Sequence, residues 1–357
     1  MEKSELLTEL YAKDIFLTQY TFNSVKVKIE KLEYELCDCL IELGDFYIII
    51  QVKEKSANGE SNDYQWFKNK VIKKAKQQIK STIELISNTS AKFFHNEQEI
   101  IIQKNKKILP VILFYGTDLD YYQKLYYSKA LSGYINIFDE RDFKTMLETV
   151  KVPFDIIHYL ISREFLLPKD GTNRFIFDDV SDNVTIITKN ESEEDYAMHY
   201  LTRNYFDKNI SFEYIDLFNK ALKNLNEKLC NTRNPLLELL LTLNTQEINQ
   251  IVGHCLSIIE DIKNTELLSP AGMICKDKGI LFMKHPYGMD DKQFFNFITK
   301  MGLYFTYKNK LLETHAIIFK AEDNDNFSIT PALGHYSYTG YNEDLELLVL
   351  EIEGRKN

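Results

Sequence analysis

The stretch from Cys37 to Lys53, Cys-Asp-Cys-Leu-Ile-Glu-Leu-Gly-Asp-Phe-Tyr-Ile-Ile-Ile-Gln-Val-Lys, is an apolar ribbon interrupted by a few polar residues. Gly44 and Asp45 divide it into two runs that are rich in β-forming residues. Glycine at the first central position suits a two-residue type II′ turn, which joins the strands of a tight hairpin. The stretch therefore predicts a β-hairpin that reverses direction at residues 44 and 45.

The turn also predicts which residues lie opposite each other. If Leu43 pairs with Phe46, Asp38 lies opposite Gln51, and Lys53 is a diagonal neighbour on the same face. Cβ atoms of directly opposed residues are about 4.5–5.5 Å apart, and those of diagonal neighbours about 7–8 Å. The alternate positions are all apolar, so we expect them to form the core side of the hairpin: Cys37, Cys39, Ile41, Leu43, Phe46, Ile48, Ile50 and Val52.

Two interpretations of the polar group Asp38, Gln51 and Lys53 follow. In the first, Asp38 and Lys53 form a partly exposed ion pair, which is common in hairpins and contributes little to stability. In the second, the Asp38 carboxylate, the Gln51 amide oxygen and the Val52 backbone carbonyl bind a magnesium ion, which prefers oxygen ligands. Lys53 would then orient or deprotonate a water, or stabilise charge on a phosphorane-like transition state.

Three glutamates are weaker candidates for the same site. Glu35 lies three residues before Asp38 and would reach the site only if the start of the strand is bulged. Glu5 and Glu9, from the first predicted helix, are candidate outer ligands.

Periodicity predicts the elements on either side of the hairpin. A helix and a half-buried strand precede it, and a polar loop, a second helix with one apolar stripe, and a continuous apolar strand follow it. The predicted helices are residues 4–21 and 64–87, and the predicted strands are residues 24–32 and 108–115.

This order of elements, with Asp-x12-Gln-x-Lys across the hairpin, resembles the PD-(D/E)XK nuclease superfamily, and the glutamine form is similar to that of Mrr-type restriction nucleases. The matching residues are Asp38, Gln51 and Lys53, within residues 4–115. The sequence departs from the family pattern at Cys37, where the family name has proline, and at Gln51, where a neutral amide replaces a charged ligand. The resemblance implies an α/β (α+β) fold with a mixed sheet flanked by helices, and cleavage of DNA with Mg²⁺ or Mn²⁺.

The helix after the hairpin is strongly basic although the whole chain has a net charge of −10. No acid occurs between residues 64 and 83. Lysines populate solvated helix faces freely, but positive charge beside a metal site also attracts a phosphate backbone irrespective of its sequence. The predicted nucleic-acid contacts are Lys68, Lys70, Lys73, Lys74, Lys76, Gln78 and Lys80.

The rest of the chain sets the boundaries of this prediction. We expect a nuclease-like domain in residues 1–168 and a second α+β domain in residues 169–357, because 357 residues are too many for one small hydrophobic core.

An acidic start and no long apolar run predict a cytoplasmic protein without a membrane partner. Five cysteines without a Cys-x-x-Cys pair indicate neither a disulfide framework nor a zinc cluster. There is no His-x-x-x-His spacing and no glycine-rich nucleotide loop.

Three hypotheses about function remain open. The first is a magnesium-dependent DNA nuclease, acting in restriction or antiviral defence, whose activity is gated by the C-terminal half or by a partner protein. A homo-oligomer is a further possibility. The second is a nuclease-like DNA-binding or assembly module that has lost its metal site at Gln51. The third is a nuclease that acts on RNA, because a site that reads phosphates does not distinguish the two polymers by itself.

Overall fold

The computed structural model divides the chain into two compact units. The first comprises Met1–Ile210 and Asn219–Asn244, and the second Ser211–Phe218 and Thr245–Asn357. The structure describes residues 3–56, 62–88, 90–117, 119, 122–129, 131–167, 174–177, 184–187, 191–205, 208–229, 232–260, 270–275, 277–285, 289–321, 327–336, 345, 348–349 and 352–353. The first unit extends well beyond the predicted boundary at residue 168, because a helix beginning at Glu193 packs on the helices before that boundary.

The helices of the first unit are α1 (Lys3–Phe16), α2 (Asp63–Trp66), α3 (Lys76–Ser87), α4 (Glu140–Val150), α5 (Pro153–Leu166), α6 (Glu193–Tyr205) and α8 (Pro235–Leu241), with the π-helix Phe67–Ala75 joining α2 to α3. Helix α7 (Phe212–Lys228) is shared between the units. The first predicted helix, residues 4–21, is too long: α1 ends at Phe16, and a 3-10 turn, Thr18–Tyr20, follows it.

An eight-stranded mixed sheet forms the centre of the first unit. Its strands are β1 (Thr21–Ile29), β2 (Leu32–Leu43), β3 (Phe46–Glu54), β4 (Lys92–His95), β5 (Gln98–Ile100), β6 (Lys107–Tyr115), β7 (Leu125–Ser128) and β8 (Gly133–Asp139), in the order β5-β4-β1-β2-β3-β6-β8-β7. Strands β3, β6 and β8 are parallel. Strands β9 (Arg174–Phe177) and β10 (Val184–Ile187) form a separate pair.

The predicted hairpin is confirmed. Leu43 pairs with Phe46 in antiparallel β2 and β3, and the register continues to Cys39 opposite Ile50. Gly44 has a φ of +51°, which a residue with a Cβ adopts only with strain. Asp45 lies outside the positive-φ region, as a type II′ turn requires.

Helices cover both faces of this hairpin, whereas the sequence predicts one core side. Helix α1 contacts β1, β2 and β3 on one face, where the Thr8 and Tyr115 hydroxyls are 2.9 Å apart. The helical segment 63–87 packs on the other face, with Val71 and Ile79 in one apolar cluster with Ile112. This second face is buried too, because Leu40, Tyr47 and Ile49 lie in it with Ile86.

The second unit is built around a four-stranded sheet in the order β11-β12-β13-β14. Its elements are α9 (Thr245–Glu260), β11 (Ala271–Cys275), β12 (Lys278–His285), α10 (Asp291–Asn309), β13 (Glu313–Ala321) and β14 (Phe327–Tyr336). Helix α10 connects the parallel strands β12 and β13 and buries Phe294 and Ile298 against Leu281 and Met283. In both units, therefore, a hairpin is followed by a helix and a parallel strand.

Nowhere among the described residues does a helix combine the length and the apolar character that crossing a bilayer requires.

Candidate metal and nucleic-acid site

The β2–β3 ladder ends at the pair Cys39 and Ile50, one pair before Asp38 reaches Gln51. In place of a further ladder bond, the Asp38 carboxylate accepts a hydrogen bond of 2.5 Å from the Val52 backbone N–H. The register is thus the predicted one, but the strands part at Asp38. The carboxylate is held beside the end of β3 by this bond to the backbone.

Asp38 is a half-buried carboxylate in an environment that disfavours its charge. Burial raises its pKa from 3.8 to about 6, while the Val52 N–H and the Lys53 ammonium oppose that rise. Nearby Glu35 and Glu5 raise the pKa further by repulsion. Perturbation by desolvation together with specific charges is typical of functional carboxylates, and a cation at this place would relieve it.

Gln51 is the most deeply buried member of the group, with 3% of its surface exposed. Its amide oxygen is buried and has no hydrogen-bond partner among the described residues. An acceptor left without a donor in a protein interior costs about 1–3 kcal/mol. A ligand that supplies positive charge or a donor at this oxygen would therefore bind favourably.

The Lys53 ammonium donates a hydrogen bond to the Val52 carbonyl, the predicted backbone ligand. Lys53 shares a face with Gln51, because the two residues pair with Phe114 and Ile112 of β6 and alternate along β3. The structure thus holds the Asp38 carboxylate against the Val52 backbone and near the Lys53 charge, with Gln51 directly before Val52 on β3.

Strand β2 contains the bulge on which the prediction for Glu35 depends. Val25 pairs with Cys37 and Lys26 with Glu35, so Leu36 is the extra residue of β2. Glu35 is exposed and acts on Asp38 electrostatically.

The two glutamates of α1 differ in their surroundings. Glu9 is buried, and both of its carboxylate oxygens already have partners: one pairs with Lys13, and the other accepts a hydrogen bond of 2.7 Å from Asn23. Glu5 is half-buried and raises the pKa of Asp38. Glu5 is thus the better placed of the two as an outer ligand.

The basic helix has the predicted buried stripe, and its first part is a π-helix. The members of the stripe are Phe67, Val71, Ala75, Ile79, Ile83 and Ile86, of which Ile83 is half-buried. π-Helical segments are rare and occur frequently at functional sites. Trp66 packs at the start of this segment, its ring centroid 6.3 Å from that of Phe114, as expected for a packing residue.

The predicted contact lysines divide into free and engaged side chains. Lys68, Lys70, Lys73 and Lys74 are exposed and make no ion pair within the described part of the chain. Lys76 is half-buried and donates a hydrogen bond of 2.9 Å to the Tyr126 hydroxyl. Lys80 lies 3.7 Å from Glu84. Four uncompensated charges thus remain on the π-helix.

Gln78 differs from the lysines. Its amide oxygen is buried and, like that of Gln51, has no hydrogen-bond partner among the described residues. The sequence indicates only a surface contact for Gln78, because helical periodicity places it at the border of the apolar stripe.

A second buried polar cluster was not predicted from the sequence. Arg163, with no exposed surface, bonds to the Glu193 carboxylate at 3.0 Å and to the Asn136 amide oxygen at 3.0 Å. Lys124 bridges Glu193 and Asp142. The two positive and two negative charges balance. The partners come from four distant parts of the chain, so no local pattern could have indicated them.

Across the residues that the structure describes, no three His, Cys, Asp or Glu side chains form a group able to hold a metal ion. Any cation at the carboxyl end of β3 would therefore depend on amide and backbone oxygens beside Asp38. No protein-family model matches the chain, and neither does any curated protein or any solved structure.

Proposed function

We propose that the protein is a divalent-metal-dependent nuclease of the PD-(D/E)XK type, acting on DNA at the carboxyl end of β3. The observation that carries the proposal is the buried Gln51 amide oxygen, which has no partner among the described residues and directly precedes the Val52 N–H that binds a carboxylate whose charged form is disfavoured. Helix α1, three antiparallel strands, a helix and the parallel strand β6 follow one another in the order that the resemblance implies, with the short strands β4 and β5 inserted before β6.

The oxygen atoms at the site suit a hard cation. Asp38 and Gln51 would hold Mg²⁺ or Mn²⁺ with the Val52 carbonyl, and waters would complete the coordination. A bound magnesium ion supplies Lewis-acid polarisation of a phosphate oxygen and lowers the pKa of a bound water.

The chain's own residues bind and orient the substrate. Lys53 lies beside the Asp38 carboxylate, where its positive charge can orient the attacking water and stabilise the charge that develops on the phosphate. The water oxygen forms the new bond to phosphorus, and the bond from phosphorus to the leaving sugar oxygen breaks. Solvent accepts the proton of the water and donates one to the leaving oxygen.

The exposed lysines of the π-helix support a nucleic-acid substrate. Lys68, Lys70, Lys73 and Lys74 follow the site strand directly, and none is neutralised by a described acid. Cations on one helix attract phosphates without reading bases. We propose DNA as the substrate, with RNA as an alternative that the assay distinguishes.

The test is cleavage of plasmid DNA, linear duplex DNA and a single-stranded RNA with Mg²⁺ or Mn²⁺. We expect DNA to be cut by the wild-type chain and by Asp45→Asn, which makes the same chemical change in the exposed turn, but not by Asp38→Asn or Lys53→Ala. Cleavage that persists in the last two variants overturns the proposed site. Cleavage of RNA alone reassigns the substrate.

One observation favours a binding module without catalysis as the second candidate. Gln51 is neutral, and the described residues offer no three-acid group for a metal. Such a module would bind DNA through the π-helix lysines in EDTA as well as in Mn²⁺. Titration of the protein with Mn²⁺ in the presence of DNA separates the two, since only the nuclease takes up the ion at Asp38.

A further inference from the structure

Two buried amide oxygens without partners lie on elements that pack against each other. One belongs to Gln51 on β3 and the other to Gln78 on α3, and α3 contacts both β3 and β2. Each oxygen is an acceptor that receives no donor from the described residues. Unsatisfied buried acceptors are uncommon in folded proteins and call for a physical explanation.

Contacts of Ile79 and Thr82, which follow Gln78 on α3, show which strands this part of the helix covers. Ile79, the next residue, packs in one cluster with Ile112, and Ile112 is the ladder partner of Gln51 on the same face of the sheet. Thr82, one turn further along, donates a hydrogen bond to the Leu36 carbonyl of β2. Helix α3 therefore runs from β6 across β3 to β2, all three of which it contacts. Gln78 lies at the β6 side of this crossing and, four residues before Thr82, on the same side of the helix as Thr82.

The direction of the helix excludes the opposite arrangement. The π-helix begins beside β6, where the ring centroids of Phe67 and Phe114 are 5.3 Å apart. Ile86, at the other end of the segment, packs with Leu40 of β2 and Val25 of β1. Gln78 precedes Thr82 along this path, so it lies towards the part of the sheet where Ile112 of β6 pairs with Gln51 of β3.

We propose that Gln78 is a further oxygen ligand, with Asp38 and Gln51, of the divalent cation at this site. The inference rests on the proposed metal site but not on catalysis. It assigns the cation one carboxylate and two amide ligands, a set with a single negative charge. Magnesium and manganese accept such neutral oxygen donors, but fewer charged ligands give weaker binding.

The proposal predicts opposite effects of one substitution on two measurements. Gln78→Leu removes a buried acceptor that has no donor, so the metal-free protein is expected to unfold at a higher temperature than the wild type. The same variant loses a ligand, so Mn²⁺ is expected to raise its unfolding temperature less than it raises that of the wild type. A glutamine that only fills space or holds the helix would lower stability on substitution and leave the metal effect unchanged.

The second test adds a negative charge at residue 78 and, as a matched control, the same charge at the neighbouring residue 77. Mn²⁺ is titrated into the full-length protein, and free ion is followed by its paramagnetic resonance signal. We expect Gln78→Glu to bind Mn²⁺ at least tenfold more tightly than the wild type. Gln77→Glu adds the same charge on the exposed side of α3 and is expected to change the affinity less than twofold.

The outcomes separate this inference from the proposed function. If Asp38→Asn abolishes Mn²⁺ binding while Gln78→Leu and Gln78→Glu match the Gln77→Glu control, Gln78 is not a ligand and the nuclease proposal stands. If the wild type takes up no Mn²⁺ with or without DNA, the metal site itself is wrong and both proposals fail.

Discussion

Two polar groups are buried in the same unit, and they are built in opposite ways. Around Arg163, each charged group meets an opposite charge, with Glu193, Lys124 and Asp142 forming one balanced network. At the end of β3, the Gln51 amide oxygen receives no donor from the residues that the structure describes, and burial disfavours the charged form of Asp38. The first cluster stabilises the packing of helices on the sheet. The second keeps a buried oxygen and a carboxylate that a bound cation could still satisfy.

The difference shows that burial of polar groups by itself does not indicate function. The Glu193 carboxylate is as inaccessible as Gln51, but it accepts from Tyr159 at 2.5 Å as well as from Arg163 and Lys124. Only the Arg163 Nε in this network lacks a partner among the described residues. Satisfaction of hydrogen bonds, rather than depth, distinguishes a structural cluster from a candidate site.

The largest expected effect comes from breaking the balanced network. Arg163→Met leaves Glu193 as a buried charge without its main partner, so the free energy of unfolding should fall by about 3–5 kcal/mol. Urea titration at pH 7 measures the loss. Arg203→Met, the same change on the exposed side of α6, should stay within about 0.5 kcal/mol of the wild type. If Arg163→Met lowered the free energy of unfolding no more than the Arg203→Met control does, the network would not stabilise the fold.

The second prediction concerns Asp38, whose charge, unlike that of Arg163, is expected to destabilise the fold. Its pKa in the fold, about 6, lies above its ordinary value of 3.8, so the folded state prefers the protonated form. The contribution of Asp38 to the free energy of unfolding should therefore be fully present below pH 4, fall by on the order of 3 kcal/mol as pH rises to 6, and then level off.

Asp38→Asn should remove this dependence, because the amide oxygen still accepts from Val52 but carries no charge. Unfolding of the metal-free protein between pH 4 and pH 8 tests this, compared with Asp45→Asn in the exposed turn. If the free energy of unfolding changes with pH in the same way for the wild type and Asp38→Asn, burial does not raise the pKa of Asp38.

A third prediction sharpens the contrast by adding charge at Gln51. Gln51→Glu supplies a second carboxylate beside Asp38, so Mn²⁺ should bind at least tenfold more tightly, which corresponds to about 1.4 kcal/mol. In the absence of metal the same variant should be less stable, because two buried carboxylates repel each other. Unchanged Mn²⁺ affinity would remove Gln51 from the ligand set.

The smallest expected effect concerns free and paired lysines on the basic helix. Replacing Lys70 and Lys74 by glutamine should weaken binding of duplex DNA, and should reduce the slope of log affinity against log salt by about 0.9 for each lysine that contacts phosphate. Lys80→Gln should change the slope less, because Glu84 already lies 3.7 Å from that ammonium. Fluorescence anisotropy in EDTA measures both. Equal slopes for all variants would place the DNA elsewhere.

Local chemistry made the hairpin and the buried helix stripe predictable. The register follows from a glycine that the turn requires at residue 44 and from an alternation that a one-residue slip would destroy. The apolar strand after the second helix was also predicted, at residues 108–115, and is β6. Strands β4, β5 and β7 were missed, because each has only three or four residues and carries little periodicity.

The candidate site was only partly readable in advance. The grouping of Asp38, Gln51 and Lys53 was predicted, but the end of the ladder at Cys39 and the hydrogen bond from Val52 to Asp38 were not. Both depend on the residue at which β2 separates from β3. The bulge at Leu36, in the ladder with β1, and the packing of α3 on Leu36 influence that position, and neither is part of the β2–β3 pairing.

The turn at Gly44, the faces of the paired residues from Cys39 to Ile50 and the basic character of the following helix were readable from the sequence, because they depend on neighbouring residues and on the period of the backbone. Cys37 was assigned to the wrong face, since it packs with Leu40 beyond the end of the ladder. Tertiary packing was needed to show that both faces are covered, that the Gln51 and Gln78 amide oxygens receive no donor from the described residues, and that Arg163 meets Glu193. Desolvation and hydrogen bonding depend on what distant segments bring to a side chain, and no local pattern of residues specifies that.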